Sequence, residues 1–256
     1  MPEEKKPIPP EAYDLAYFLQ ECEGHEEYLA TGGKELPRRL RMALAFAGEL
    51  AGRRVLDLGC GRGELLRRCA EEGALAVGVD YSADALHLAA QILPPRAGLL
   101  RGNVRALPFM ENSFELVFAL DLVEHLYPEE LAEMFAEVRR ILAPGGKLII
   151  HTMPNLWYYR YGYPFFRLFQ RLRGVSLPRD PRDRWRRVHV NEQTLLSLRH
   201  SLEKAGLKAR VYLRNTQDFR REGNPFLRWV YRFLATVYPF AWIFCNDLFA
   251  VAIKEE

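Results

Sequence analysis

Cysteine is scarce: Cys22, Cys60, Cys69 and Cys245 are the four in 256 residues, and none forms a C-x-x-C pair. Such scattering excludes a disulfide framework and a thiolate metal centre, and predicts reduced thiols in a cytoplasmic compartment. No Cys/His cluster stands at metal-ligand spacing, so no metal is expected. Long apolar runs are also missing. The longest apolar stretch, Phe233 to Cys245, covers 13 residues, whereas a membrane-spanning helix takes about 20. No basic segment leading into an apolar one opens the chain, which predicts no secretory leader. No internal repeat is found.

Apolar residues make up 49% of the chain, enough to bury a full core. The net charge is only +3 but unevenly spread. Residues 1–30 hold eight acidic and two basic side chains, and residues 156–190 hold nine arginines and two aspartates. Residues 1–10, charged and Pro-rich, read as a disordered tail. Residues 11–256 read as a single domain.

Within it, strands and helices alternate. A helix is expected over Leu36 to Leu50, from the apolar spacing of Leu40, Ala43, Leu44 and Ala47. Short apolar strands are expected at Val55–Leu58, Ala76–Val79, Gly98–Arg101, Phe114–Leu120 and Lys147–Thr152. Helices separate them at Glu64–Glu72, after Ser82, and at Pro128–Leu142, the last stopped by Ala143-Pro144-Gly145-Gly146. A helix capped by Asn191 and strands at Lys208–Leu213 and Leu248–Ile253 complete the pattern. It implies a doubly wound α/β fold with a mostly parallel sheet. Two stretches break the alternation, at 153–188 and 214–246, and read as helical cap insertions.

The strand Val55-Leu-Asp-Leu58 runs straight into Gly59, Gly61 and Gly63 and then a helix. Glycine lets a backbone turn sharply and lets a ligand approach closely. The loop lacks the Gly-Lys-Ser/Thr of a P-loop. Its third glycine comes four residues after the first, not five as in a dinucleotide fingerprint, and no Tyr-x-x-x-Lys pair supports a dehydrogenase. Glu64 at the helix start is a poor host for pyrophosphate. S-adenosylmethionine (SAM), which has no phosphate, meets no such objection. Asp80 closes the second strand 19 residues after Gly61, where a carboxylate can accept ribose hydroxyls. Tyr81 follows as a cover for an adenine face.

Val55–Leu66, Gly78–Ser82, Gly102–Phe109, Phe114–Leu126 and Ile141–Ile150 occur in order. Together they resemble the successive motifs of class I SAM-dependent methyltransferases, most of all the ubiquinone-type and other small-molecule subgroup. The resemblance covers residues 50–155, and more weakly 189–213 and 247–254. It implies a Rossmann-like methyltransferase fold, a seven-stranded sheet of order 3-2-1-4-5-7-6 with the last strand antiparallel, and SAM as cofactor. It places Asp57, Gly59, Cys60 and Gly61 at the methionine end, Asp80 at the ribose, and Tyr81, Asn103 and Val104 at the adenine. Leu120 stands where a backbone carbonyl meets the SAM amino group. Asn103 replaces the family's aspartate and can still accept through its side-chain oxygen.

Other roles are candidates. Asp57 could instead cap the glycine loop. Cys60 reads as a small loop residue, not a nucleophile. His125 is the candidate general base for a protic acceptor, against a plain anchoring role at the helix start. His151 and His189 are candidate substrate contacts. From Phe165, apolar side chains recur at 168, 169 and 172, with Arg167, Arg171 and Arg173 opposite, an amphipathic basic helix. The insertion reads as a cap over the active site or as a contact for an anionic membrane or lipid-linked acceptor. Nucleic acid is disfavoured, since no RNA-binding module is added. The expected acceptor is a small, hydrophobic or anionic molecule. A non-catalytic SAM-binding partner protein is the alternative, because methyl transfer imposes no obligatory catalytic residue.

Overall fold

Seven strands form one sheet in the computed structural model, which describes residues 7–217, 219 and 222–255. They are β1 (Arg54–Leu58), β2 (Leu75–Asp80), β3 (Gly98–Arg101), β4 (Phe114–Leu120), β5 (Leu142–Thr152), β6 (Lys208–Leu213) and β7 (Leu248–Ile253). Their order is β3-β2-β1-β4-β5-β7-β6, as the resemblance implies. β1 to β5 pair in parallel, and β7 runs antiparallel to both β5 and β6, so the sheet is mixed.

A parallel strand covered on both faces reads as an unbroken apolar run, and β4 shows why. Val117 and Ala119 join Met134, Phe135 and Val138 of helix α5 (Pro128–Ile141) on one face. Leu116 and Phe118 join Leu40 and Ala43 of α2 (Arg38–Ala47) and Leu66 and Cys69 of α3 (Glu64–Glu71) on the other. Successive residues point to opposite faces, so one strand feeds two cores. Helices α1 (His25–Thr31) and α4 (Ala83–Ile92) complete this half, with Ser82 capping α4 by accepting from the Ala85 N–H.

Three expected boundaries move. The first helix is shorter, because Pro37 takes the N-cap position and Gly48, with φ of 78°, ends it. β5 begins at Leu142, which pairs with Phe114 before the register shifts toward Lys147 and Leu116. Helix α7 (Leu195–Lys204) starts at Thr194, whose hydroxyl accepts from the Ser197 N–H. Asn191 does not cap it: it lies three residues before Thr194, where its own N–H donates to the Glu124 carbonyl.

The two insertions fold onto each other. The first carries a π-turn, Tyr158–Gly162, and helix α6 (Tyr163–Leu172). The second carries α8 (Pro225–Thr236) and α9 (Ala241–Phe244). Asn155 donates from its amide nitrogen to the Trp242 and Cys245 carbonyls, and Trp157 stacks on Trp242. Gly162 lies so close that a Cβ there would overlap the Ile243 carbonyl oxygen. Of the expected tail, residues 1–6 lie outside the described residues. Ile8 is placed, and its carbonyl accepts from the Tyr81 hydroxyl.

Candidate functional site

Strand order reverses between β1 and β4, and a crevice at such a point is where open α/β sheets bind ligands. A cavity of about 170 Å³ occupies it. Its floor is the glycine loop. Gly59 and Gly61 have φ of 67° and 50°, a region that side chains with a Cβ avoid. The Gly59 and Cys60 N–H groups donate to the Val79 carbonyl at 2.8 and 3.1 Å. Asp80 fixes the rest: one carboxylate oxygen accepts from the Gly61 N–H at 3.0 Å and the other from the Ser82 N–H at 2.9 Å. Gly63 serves packing, since a Cβ there would stand 2.9 Å from the Ala89 Cβ on α4.

Asp57, Gly59, Cys60, Gly61, Asp80, Tyr81, Asn103, Val104 and Leu120 all line this cavity, as does His125. Their detailed roles sharpen. Asp57 does not cap the loop: the Gly61 N–H goes to Asp80, and no hydrogen bond engages the Asp57 carboxyl among the described residues. Burial, then Asp80 and Glu64, push its pKa well above the usual carboxylate range. Burial likewise raises the Cys60 pKa well above that of an ordinary thiol, which leaves it unreactive. The Asn103 side-chain oxygen already accepts from the Arg105 N–H at 3.0 Å and keeps one lone pair for a ligand.

The histidines depart from expectation. His151 does not reach the cavity. It is fully buried between two carboxylates, with Nδ1 on Asp121 and Nε2 3.2 Å from Asp247. Burial opposes its charge, but Asp121 and Asp247 outweigh burial and hold its pKa up at about 10. His125 is a poor general base: burial and the neighbouring His189 bring its pKa down to about 3. Its Nδ1 lies 3.0 Å from both the Val188 carbonyl and the Tyr13 hydroxyl. His189 lies outside the cavity lining, its ring 4.8 Å from that of His125. His189 comes together with the adjacent pair Glu124 and His125 although 64 residues separate it from them in the chain: their ligand atoms lie within 4.8 Å of one another.

Several lining residues escape sequence reasoning. Tyr13, Tyr17 and Phe18 of the acidic N-terminal segment form a wall of the cavity. Arg62 holds that wall, donating to the Phe18 and Glu23 carbonyls while pairing with Glu64. Arg39 is buried in the lining; its Nε donates to Asp121 at 2.5 Å, and its Nη1 has no hydrogen-bond partner. The one available signal was charge: an acidic start facing a basic insertion, realised in the Arg187–Glu21 ion pair at 2.9 Å.

Residues 55–146 match the family described as a methyltransferase domain. An uncharacterized methyltransferase of Synechocystis sp. is 35% identical over 131 residues, covering 50% of this chain and 60% of the relative. A ubiquinone biosynthesis O-methyltransferase of Bradyrhizobium sp. is 32% identical over 112 residues, covering 42% of this chain and 43% of that protein. The chain therefore spans less than two thirds of these relatives' length. Among solved structures, an S-adenosylmethionine-dependent methyltransferase from Mesorhizobium loti superposes with a TM-score of 0.61 at 21% identity, over 84% of this chain and 97% of that one. Phosphoethanolamine N-methyltransferase 2 of Haemonchus contortus, solved with S-adenosyl-L-methionine, gives 0.65 at 19% identity, over 93% and 59%. At such identity the two structures speak for the fold.

Proposed function

We propose that the chain is a class I SAM-dependent methyltransferase and moves the SAM methyl group to a small, lipophilic or anionic acceptor by in-line displacement. The observation that carries this is the Asp80-bolted glycine loop at the floor of the cavity. The residues present fit the cofactor. Gly59 and Gly61 leave room for close approach, and each Asp80 oxygen keeps a lone pair for a ribose hydroxyl. The unpartnered Arg39 Nη1 suits the carboxylate of an amino-acid end. When bound, SAM supplies a methyl carbon already activated by its sulfonium. The chain's task is then position and exclusion of water, which Tyr13, Tyr17 and Phe18 perform as a wall.

Calorimetry with SAM tests the site. Asp80→Ala removes both loop acceptors and should weaken binding at least tenfold, about 1.4 kcal/mol. Equal affinity in the variant would exclude this role for Asp80. A methyl-release assay on lipid and small-molecule extracts tests turnover. SAM binding without methyl release would favour the non-catalytic alternative.

The insertions support a lipid-side source for the acceptor. Helices α6 and α8 pack through Phe166 and Tyr231, yet Phe165, Leu168, Leu172, Phe226 and Trp229 are 57–80% exposed. Arg171 and Arg232 are exposed on the same helices. Apolar side chains beside arginines suit the interface of an anionic bilayer. No helix among the described residues is long and apolar enough to cross one. The protein should sediment with phosphatidylserine-containing vesicles at low salt and release at high salt. Remaining in the supernatant at low salt would refute peripheral contact.

A further inference from the structure

The segment from Tyr13 to Glu23 is tied down at both ends. At one end the Ser82 hydroxyl, beside Asp80, donates to the Tyr13 carbonyl at 2.7 Å. At the other the Arg39 guanidinium donates to the Glu23 carbonyl at 3.0 Å. Midway, Arg62 of the glycine loop donates to the Phe18 carbonyl at 2.6 Å. Between the ties the chain makes a π-turn, Tyr17–Glu21, closed by the Cys22 N–H on the Tyr17 carbonyl at 2.8 Å. That rare turn recurs at functional sites. Tyr17 and Phe18 enter it with both side chains buried in the cavity lining. The Phe18 ring lies over the loop, its Cε1 3.5 Å from where a Gly61 Cβ would stand. The Tyr17 hydroxyl makes no hydrogen bond among the described residues, so packing against Tyr13 and Phe18 sets its ring.

With the ribose on Asp80 and the carboxylate on Arg39, the sulfonium of SAM falls between the same two ends. A sulfonium has no N–H or O–H and donates no ordinary hydrogen bond; negative charge or the π-face of a ring attracts it instead. The lining has negative charge to spare. Arg39 pairs with Asp121, Arg62 with Glu64 and Arg105 with Glu130. Asp57 and Asp80 line the cavity with no cationic partner among the described residues. The Tyr13 and Tyr17 rings stand 5.1 Å apart at 86°, and those of Tyr17 and Phe18 5.2 Å apart at 83°. Rings at right angles offer π-faces from more than one side, as the aromatic cages of quaternary ammonium ligands do. We propose that Tyr17 and Phe18 are specificity-determining residues whose rings hold the sulfonium charge, so that the site selects SAM over its product S-adenosylhomocysteine (SAH). SAH lacks one methyl group and the positive charge, so a wall that only excluded water would treat the two almost alike. Transfer of the methyl group cancels the charge and with it this attraction. This selection rests on the SAM-binding reading and assigns it a source of preference that the loop and Asp80 do not supply.

The test is calorimetry of the full chain with SAM and, separately, with SAH. The unaltered chain should prefer SAM. Tyr17→Leu and Phe18→Leu keep an apolar cover but remove a π-face, and each should weaken SAM by about fivefold or more. SAH affinity should stay within about twofold in both variants, which also serves as the control for folding. Tyr17→Phe keeps the ring and should keep the preference for SAM. Equal losses for SAM and SAH in the leucine variants would overturn the proposal, since the rings would then be an apolar cover only. So would a Tyr17→Phe variant that loses as much as Tyr17→Leu, because the hydroxyl would then be the contact. An unaltered chain that binds SAM and SAH equally would also overturn it while leaving the SAM site standing. Binding of neither ligand would sink the SAM-binding reading itself, and this selection with it.

Discussion

His151 is buried at the end of β5 and carries its charge because Asp121 and Asp247 flank it. Its folded pKa of about 10 lies above the ordinary value of 6.5. The stabilisation is therefore complete below about pH 6.5 and is lost as pH rises toward 10. Thermal unfolding of the unaltered chain and of His151→Gln should show their difference shrinking across that window. A difference that stays constant from pH 6.5 to 10 would count against a charged His151. At low pH the variant should be clearly weaker, since breaking a buried pair costs about 3–5 kcal/mol. At this scale the sequence is readable where chemistry is local. Gly59, Gly61 and Asp80 declare themselves through turn geometry and a strand end. Arg39 and Asp121 do not, because their contact joins positions 82 residues apart. His151 looked like a ligand contact because its strand end faces the cleft; its two carboxylate partners come from β4's exit and from the residue just before β7.

Elements were legible to the extent that period and punctuation determine them. The apolar run of β4 and the Ser82 cap follow from sequence alone. The start of α7 did not, because Asn191 and Thr194 are both residue types that cap helices and the sequence does not choose between them; the helix uses Thr194. The association of the insertions was also hidden, since Gly162 matters only through Ile243. Gly162→Ala should cost about 1–3 kcal/mol by overpacking. The loss should be local: hydrogen exchange should quicken in α6 and α9 while the amides of β1 and β4 stay protected. Equal acceleration throughout would show that the insertions and the sheet unfold as one unit.

For the whole molecule, the cavity's size is informative. About 170 Å³ is below the roughly 300–1,000 Å³ of ligand pockets, and Tyr13, Tyr17 and Phe18 of the N-terminal segment are part of its lining. SAM at 100 times its Kd should add about 2.7 kcal/mol of stability, raising Tm by roughly 5–10 °C at about 2–4 °C per kcal/mol. Amide protection over residues 7–22 should change with it. No change there on binding would mean that the wall is not displaced.

Tyr13 touches both ends of the cavity. Its carbonyl accepts from the Ser82 hydroxyl beside Asp80, and its own hydroxyl meets His125 at the other end. A single residue spanning the two halves makes their traffic interdependent. The two substrates should bind in compulsory order, with product inhibition patterns that set ordered kinetics apart from random. The slowest event in a cycle should be the escape of the demethylated cofactor, timed by the detachment of an acidic segment from Arg62 and Arg187.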